Sequence, residues 1–118
     1  AATGRKLPVF VAFDAGNLLP VAMLLRDLHP DSPLLVCADD DYCTPGNPGR
    51  TKARAITRAV AGAHHIYPVF SGPRGPRATD FNDLQGAEGL EAVARQFAAP
   101  LAHLARLKRP SRKVSRVA

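Results

Sequence analysis

The chain has 118 residues, 46% of them apolar and 22% charged, with a formal net charge of +6. That length is one domain's worth, enough for one modest core, and the apolar content excludes a disordered chain. No apolar run approaches the roughly 20 residues of a membrane span, and two cysteines do not make a disulfide scaffold.

The segment Ala1–Lys6 has no signal-peptide core, which points to the cytoplasm. Pro8–Phe13 (PVFVAF) is apolar and rich in β-formers, and it runs into Asp14-Ala15-Gly16-Asn17. It reads as a buried strand ending in a turn, with Asn17 placed to cap a helix. Pro20 falls in the first helical turn, where a missing N–H costs little. Leu18, Val21, Leu25 and Leu28 recur at helical spacing, and His29-Pro30 is the expected stop.

Leu34–Ala38 is a second apolar strand, with Cys37 read as a small buried hydrophobe. It leads straight into Asp39-Asp40-Asp41 and a Pro/Gly-rich loop, 44–49. A second helix is expected over Thr51–Ala61, burying Ala53, Ile56 and Val60 and stopping at Gly62. Ile66–Phe70 is expected as a third strand. A Gly/Pro/Arg loop (71–78) and a compact polar motif (79–84) follow. A last helix is expected over Ala87–Leu107, kinked or split at Pro100. Cys37, Cys43, His64 and His65 match no zinc spacing.

All three expected strands are apolar throughout rather than alternating. That is the pattern of a short parallel sheet with helices on both faces, an α/β fold. In such a sheet the strand C-termini share one edge, where ligands bind. Asp14, Asp39-Asp40-Asp41 and Asp80-Phe81-Asn82-Asp83 all follow strand ends, and they hold six of the ten acids. Clustered carboxylates repel unless a cation neutralises them, and hard oxygen donors suit Mg²⁺ or Mn²⁺. Strand alternation puts Asp39 and Asp41 on one side and Asp40 on the other, so Asp39 and Asp41 are favoured as ligands, joined by Asp80. Asp14 reads better as a turn or cap residue.

Arg50, Arg54 and Arg58, four apart, form one stripe on the second helix. With Lys52 they are candidates to contact a nucleotide or a nucleic-acid backbone, against the alternative of a solvated helix face. Gly46-Asn47-Pro48-Gly49-Arg50-Thr51-Lys52 is no Walker motif: the Lys follows the Thr and the glycines are too close. The loop of Arg74 and Arg77 reads equally as a substrate contact or a surface connection. Residues 1–105 hold ten basic and ten acidic residues; 106–118 hold six basic residues and no acid. This basic tail suits a polyanionic partner or serves as a solvated linker.

Three segments together resemble the TOPRIM domains of plasmid- and phage-type DNA primases. They are Ala38-Asp39-Asp40-Asp41, Gly46-Asn47-Pro48-Gly49-Arg50-Thr51-Lys52-Ala53 and Thr79-Asp80-Phe81-Asn82-Asp83-Leu84, and Val11–Leu18 fits the same group. The resemblance covers roughly residues 3–97. It implies a Rossmann-like three-layer fold and an Mg²⁺-dependent nucleotidyl-transfer site, with Asp39-x-Asp41 as the family's Asp-x-Asp and catalytic pair and Asp80 as a further acidic position. It also implies nucleoside triphosphates and single-stranded DNA as partners, and other domains of a larger primase or primase-helicase. The family's Glu, taken as its general acid/base, has no counterpart: Ala2-Thr3-Gly4 already stands where the segment after it ends, and Glu88 and Glu91 are out of place. Residues 1–105 are therefore expected to be a partial TOPRIM domain lacking its first strand and helix, with 106–118 as the tail. A non-catalytic nucleic-acid-binding remnant and a TOPRIM nuclease are the alternatives.

Overall fold

Residues 7–12 and 14–107 are described by a computed structural model. The expectations for 1–6, Phe13 and 108–118, including most of the basic tail, lie outside them. Among the described residues the order is a 3₁₀ turn (Ala15–Asn17), α1 (Leu18–Leu28), β1 (Leu34–Cys37), α2 (Pro48–Ala59), β2 (Ala63–Ile66), α3 (Phe81–Glu88) and α4 (Leu90–Leu107). No helix among them is long and apolar enough to cross a membrane.

The two strands pair in parallel, from Leu34 opposite Ala63 to Cys37 opposite Ile66. Strand alternation then sorts their side chains. Leu34, Val36, Ala63 and His65 face α2, and the core lies there: Ala22, Val36, Ala38, Ala53, Ile56, Val60 and Ala63 are buried, with Leu18, Leu19 and Tyr67 packed against them. Ala53, fully buried in the middle of α2, lets that helix lie close to the sheet. His64 faces the other way and meets His103 of α4, ring centroids 6.0 Å apart. Helices thus lie on both faces of a short parallel sheet, an α/β arrangement compatible with three layers.

A second small core joins α3 to α4. Leu84 is fully buried, Ala92, Val93 and Leu104 nearly so, and Phe81 packs on Phe97 with ring centroids 4.9 Å apart. The break between these helices falls at Gly89, whose φ of +90° lies in the region that favours glycine. Pro100, the expected site of a kink or split, sits inside α4.

The last helix, expected over Ala87–Leu107 with its break at Pro100, is instead divided at Gly89, and four further expectations of the fold are corrected. Residues 7–12 form no strand, and Val9, Phe10 and Val11 are exposed. A strand needs a ladder partner, and among the described residues β1 and β2 pair only with each other. The strand expected over Ile66–Phe70 forms earlier, at Ala63–Ile66; Pro68, with no N–H, cannot extend the ladder. α2 begins at Pro48 rather than Thr51, because Asn47 caps it and proline is tolerated in a first turn. Cys37, expected to be buried, ends β1 with an exposed surface, although partial desolvation still pushes its thiol pKa up to about 11.

Candidate functional site: an acidic edge

The site lies just past the C-terminal end of β1, where α2, α3 and the 67–80 loop meet. Gly49 makes the close approach possible. A Cβ there would lie 2.5 Å from the carbonyl oxygen of Asp39. The first turn of α2 therefore presses onto the Asp39–Asp41 turn, and the Gly49 N–H donates to Asp41 Oδ2 at 2.7 Å. This amide and the positive end of the helix dipole face the acids.

Asn47 organises the turn. It holds a left-handed conformation, φ +42° and ψ +75°, which Asn tolerates better than most residues. Its Oδ1 accepts from the N–H of Asp41 at 2.9 Å and of Arg50 at 3.4 Å, and its Nδ2 donates to Asp40 Oδ1 at 2.7 Å.

Asp40 is the buried acid, 8% exposed. Arg74 Nη2 donates to its Oδ2 at 2.8 Å, and Arg50 Nη1 lies 4.0 Å from Oδ1. Burial alone would raise its pKa. Hydrogen bonds from Arg74 and Asn47, with the charges of Arg74 and Arg50, outweigh that and hold it below the ordinary carboxylate value. Of its neighbours, Asp39 is exposed and Asp41 half-buried.

Asp39 has no hydrogen bond or ion pair among the described residues. Partial desolvation, then the charges of Asp41, Asp80 and Asp83, push its pKa up. The carboxylates of Asp41, Asp80 and Asp83 thus lie near enough for their charges to act on Asp39. Asp80 also caps α3: its Oδ1 accepts the Asp83 N–H at 2.7 Å, while Asp83 Oδ2 accepts the N–H of Thr79 and of Asp80 at 2.8 and 3.2 Å. This reciprocal capping box keeps the Asp83 carboxyl below its ordinary range. Among the described residues, one oxygen each of Asp41 and Asp80 and both of Asp39 have no donor.

Asp39, Asp41 and Asp80 offer carboxylate oxygens, the hard donor type that a divalent cation takes. They do not form a finished cage: among the described residues no three His, Cys, Asp or Glu side chains are arranged to hold a metal ion. Asp14, as expected, is a turn residue. Its Oδ1 accepts the Asn17 N–H at 2.9 Å, and its Oδ2 accepts Asn17 Nδ2 at 3.1 Å. Asn17 itself makes no side-chain cap on α1, contrary to expectation, because its amide is turned to Asp14.

The basic residues separate. Arg50 is committed to the scaffold, its guanidinium 3.9 Å over the Tyr67 ring and its Nη2 2.9 Å from the Tyr67 hydroxyl. Arg54 and Arg58 are exposed on α2. The positive charge of Arg54 and Arg50 reaches His65, whose pKa is lowered first by desolvation and then by them. Lys52 lies on a different side of α2, in a shallow groove with Gly16, Leu19, Ala55 and Ile56.

Residues that sequence reasoning missed are Asn47, Tyr42, Tyr67 and the ion-pairing role of Arg74. An Asn followed by Pro at a helix start was a legible cap signal. The Arg74–Asp40 contact spans 34 positions and left no local trace.

No protein-family model and no solved structure matches the chain. Two curated proteins do, both named DNA primase TraC, from Escherichia coli. Each is 47% identical over 64 residues, about 51% of this chain. The matched stretch spans 6% of the length of one and 4% of the other. The chain thus carries a primase-related region.

Proposed function

We propose that this chain is part of a primase-type TOPRIM module whose edge of Asp39, Asp41 and Asp80 takes Mg²⁺ or Mn²⁺ for nucleotidyl transfer in RNA primer synthesis. The observation that carries the reading is the gathering of acids past the end of β1, where desolvation and then the charges of Asp41, Asp80 and Asp83 push the Asp39 pKa up, beside 47% identity over 64 residues to a DNA primase. Proteins rarely assemble such a group without a use for it, and perturbed acids cluster at functional sites. A bound Mg²⁺ would supply charge stabilisation to phosphoryl oxygens during in-line transfer.

The chain's own residues do the rest. Asp39, Asp41 and Asp80 offer the free carboxylate oxygens. Gly49 N–H and the N-terminus of α2 fix Asp41, and the capping box fixes Asp80. Lys52, Arg54 and Arg58 supply exposed positive charge for nucleoside triphosphate or single-stranded DNA, with Arg50 holding the frame. The basic residues of 106–118 extend the contact to a nucleic-acid backbone. On this reading the chain would act in replication, in the cytoplasm, beside other domains of a larger primase; the resemblance to plasmid and phage primases supports that setting.

The general acid/base is the open element. The chain has two Glu residues. Glu88 is engaged with the N–H and hydroxyl of Ser71, and Glu91 opens α4. This favours, as a second reading, a module that binds nucleotide and DNA without synthesising primers alone. The test is a primer-synthesis assay beside calorimetric binding of Mg²⁺-ATP. The expected result is nucleotide binding that falls in Lys52→Ala/Arg54→Ala and in Asp39→Asn/Asp41→Asn, with no primers from this chain alone. Nucleotide binding indifferent to both double variants would contradict the reading. Primer synthesis by the chain alone would contradict the need for a further Glu.

A further inference from the structure

The loop between β2 and α3 is rich in Gly, Pro and Arg and carries no regular structure, yet it is tied down at every few residues. Gln96 of α4 clasps both the N–H and the carbonyl of Val69, at 2.9 and 2.6 Å. Glu88 holds Ser71. The strongest tie is Arg74, whose side chain is only 15% exposed. Its guanidinium lies 3.7 Å over the Tyr42 ring and 4.7 Å from the Phe70 ring, and it donates to Asp40 at 2.8 Å. The Tyr42 hydroxyl donates in turn to the carbonyls of Arg74 and Gly75, at 3.2 and 3.1 Å. Directly beyond, the Asp40 N–H donates to the Thr79 carbonyl at 2.7 Å. Thr79 is the neighbour of Asp80. One side of this assembly is the Asp39–Asp41 turn; the other is the loop that delivers Asp80.

We propose that Asp40 and Arg74, clamped by Tyr42, are positioning residues that set the spacing between Asp39 and Asp41 on one side and Asp80 on the other. Asp40 sits between the two outward-facing acids and faces the opposite way, so its ion pair with Arg74 acts on them through the backbone and touches no substrate. A planar guanidinium stacked on an aromatic ring has a fixed orientation, which a lysine at the same place lacks. Groups that orient metal-binding carboxylates from behind alter affinity without touching the ion. The role in cation binding rests on the reading of the acidic edge given above; the loop-holding role does not.

The experiment separates the two. Backbone hydrogen exchange by NMR and Mn²⁺ binding by electron paramagnetic resonance are measured on the full chain for wild type, Arg74→Met, Arg74→Lys, Tyr42→Phe and Asp39→Asn. The Ala38 N–H, bonded to Ile66 in the sheet, reports whether the fold survives. In Arg74→Met the Asp40 N–H is expected to exchange about tenfold faster while Ala38 keeps its protection. The Mn²⁺ dissociation constant should rise about tenfold in the same variant. Arg74→Lys should recover part of both effects. Tyr42→Phe, which loses one hydroxyl, should show both in smaller measure and guards against a variant that fails to fold. Asp39→Asn should lose Mn²⁺ binding and keep the Asp40 N–H protected. Unchanged Asp40 exchange in Arg74→Met and Tyr42→Phe would overturn the positioning role. Faster exchange with unchanged Mn²⁺ affinity would overturn its link to the cation. Wild-type Mn²⁺ binding indifferent to Asp39→Asn would sink the acidic-edge reading, and with it that link, leaving the loop-holding role to stand on the exchange data.

Discussion

Asp39, Asp40 and Asp41 are adjacent and chemically identical, and the fold gives each a different environment. Asp39 has its pKa raised, by desolvation and by Asp41, Asp80 and Asp83; Asp40 has its pKa lowered by Arg74 and Asn47 against the opposing effect of burial. The consequences for stability have opposite signs. A carboxyl raised in the folded chain holds its proton more tightly there, so its contribution is best below the ordinary value of 3.8 and worsens as pH rises through the folded pKa. Asp40 contributes stability above 3.8 that is lost as pH falls through its lowered folded pKa. Thermal denaturation should therefore find Asp39→Asn more stable than wild type at pH 7, with the gain vanishing near pH 3. Asp40→Asn should lose on the order of 2–3 kcal/mol at pH 7, because it strips the partner from a largely buried guanidinium. Sequence alternation put Asp40 on the opposite side from Asp39, and the structure has Asp40 buried and Asp39 exposed although β1 ends at Cys37. It had no means to name Arg74 as the partner of Asp40, because that pairing is made by the tertiary fold.

Among the elements, α3 shows how one residue serves two purposes. Asp80 caps the helix and also stands at the acidic edge, and the two roles separate on substitution. Asn caps as well as Asp, whereas Ala does not. Asp80→Asn should keep α3 intact by circular dichroism and urea unfolding while weakening cation binding. Asp80→Ala should weaken cation binding and also cost about 0.5–2 kcal/mol. Equal stability of the two variants would mean that the capping box carries no weight. Elements whose limits are set locally were legible in the sequence: α1 (Leu18–Leu28) covers the apolar residues expected at helical spacing and ends beside His29-Pro30, the expected stop. The strands were less so. β2 lies at Ala63–Ile66 because register with β1 and the missing N–H of Pro68 decide it, and Pro8–Phe13 looked like a strand because apolar β-formers signal propensity but not the presence of a pairing edge.

At the scale of the molecule, charge is divided between a neutral body and a basic C-terminal stretch, and five of the ten acids of the body, Asp39, Asp40, Asp41, Asp80 and Asp83, gather past the end of β1. If the basic stretch contacts a nucleic-acid backbone, deleting Pro110–Ala118 removes Arg112, Lys113 and Arg116. The salt slope of single-stranded DNA binding should then flatten by about 2, from counterion release at roughly 0.7 per phosphate contact. A slope unchanged by the deletion would make the stretch a linker. The acidic edge makes the more central claim, and a divalent cation that binds the folded chain alone must stabilise it by mass action. The direct measurement is the melting temperature of the chain and of Asp39→Asn/Asp41→Asn across a Mg²⁺ titration into the millimolar range at constant ionic strength. The melting temperature is expected to climb with Mg²⁺ in the wild type and stay nearly flat in the double variant; equal shifts in both proteins would show that the ion binds elsewhere.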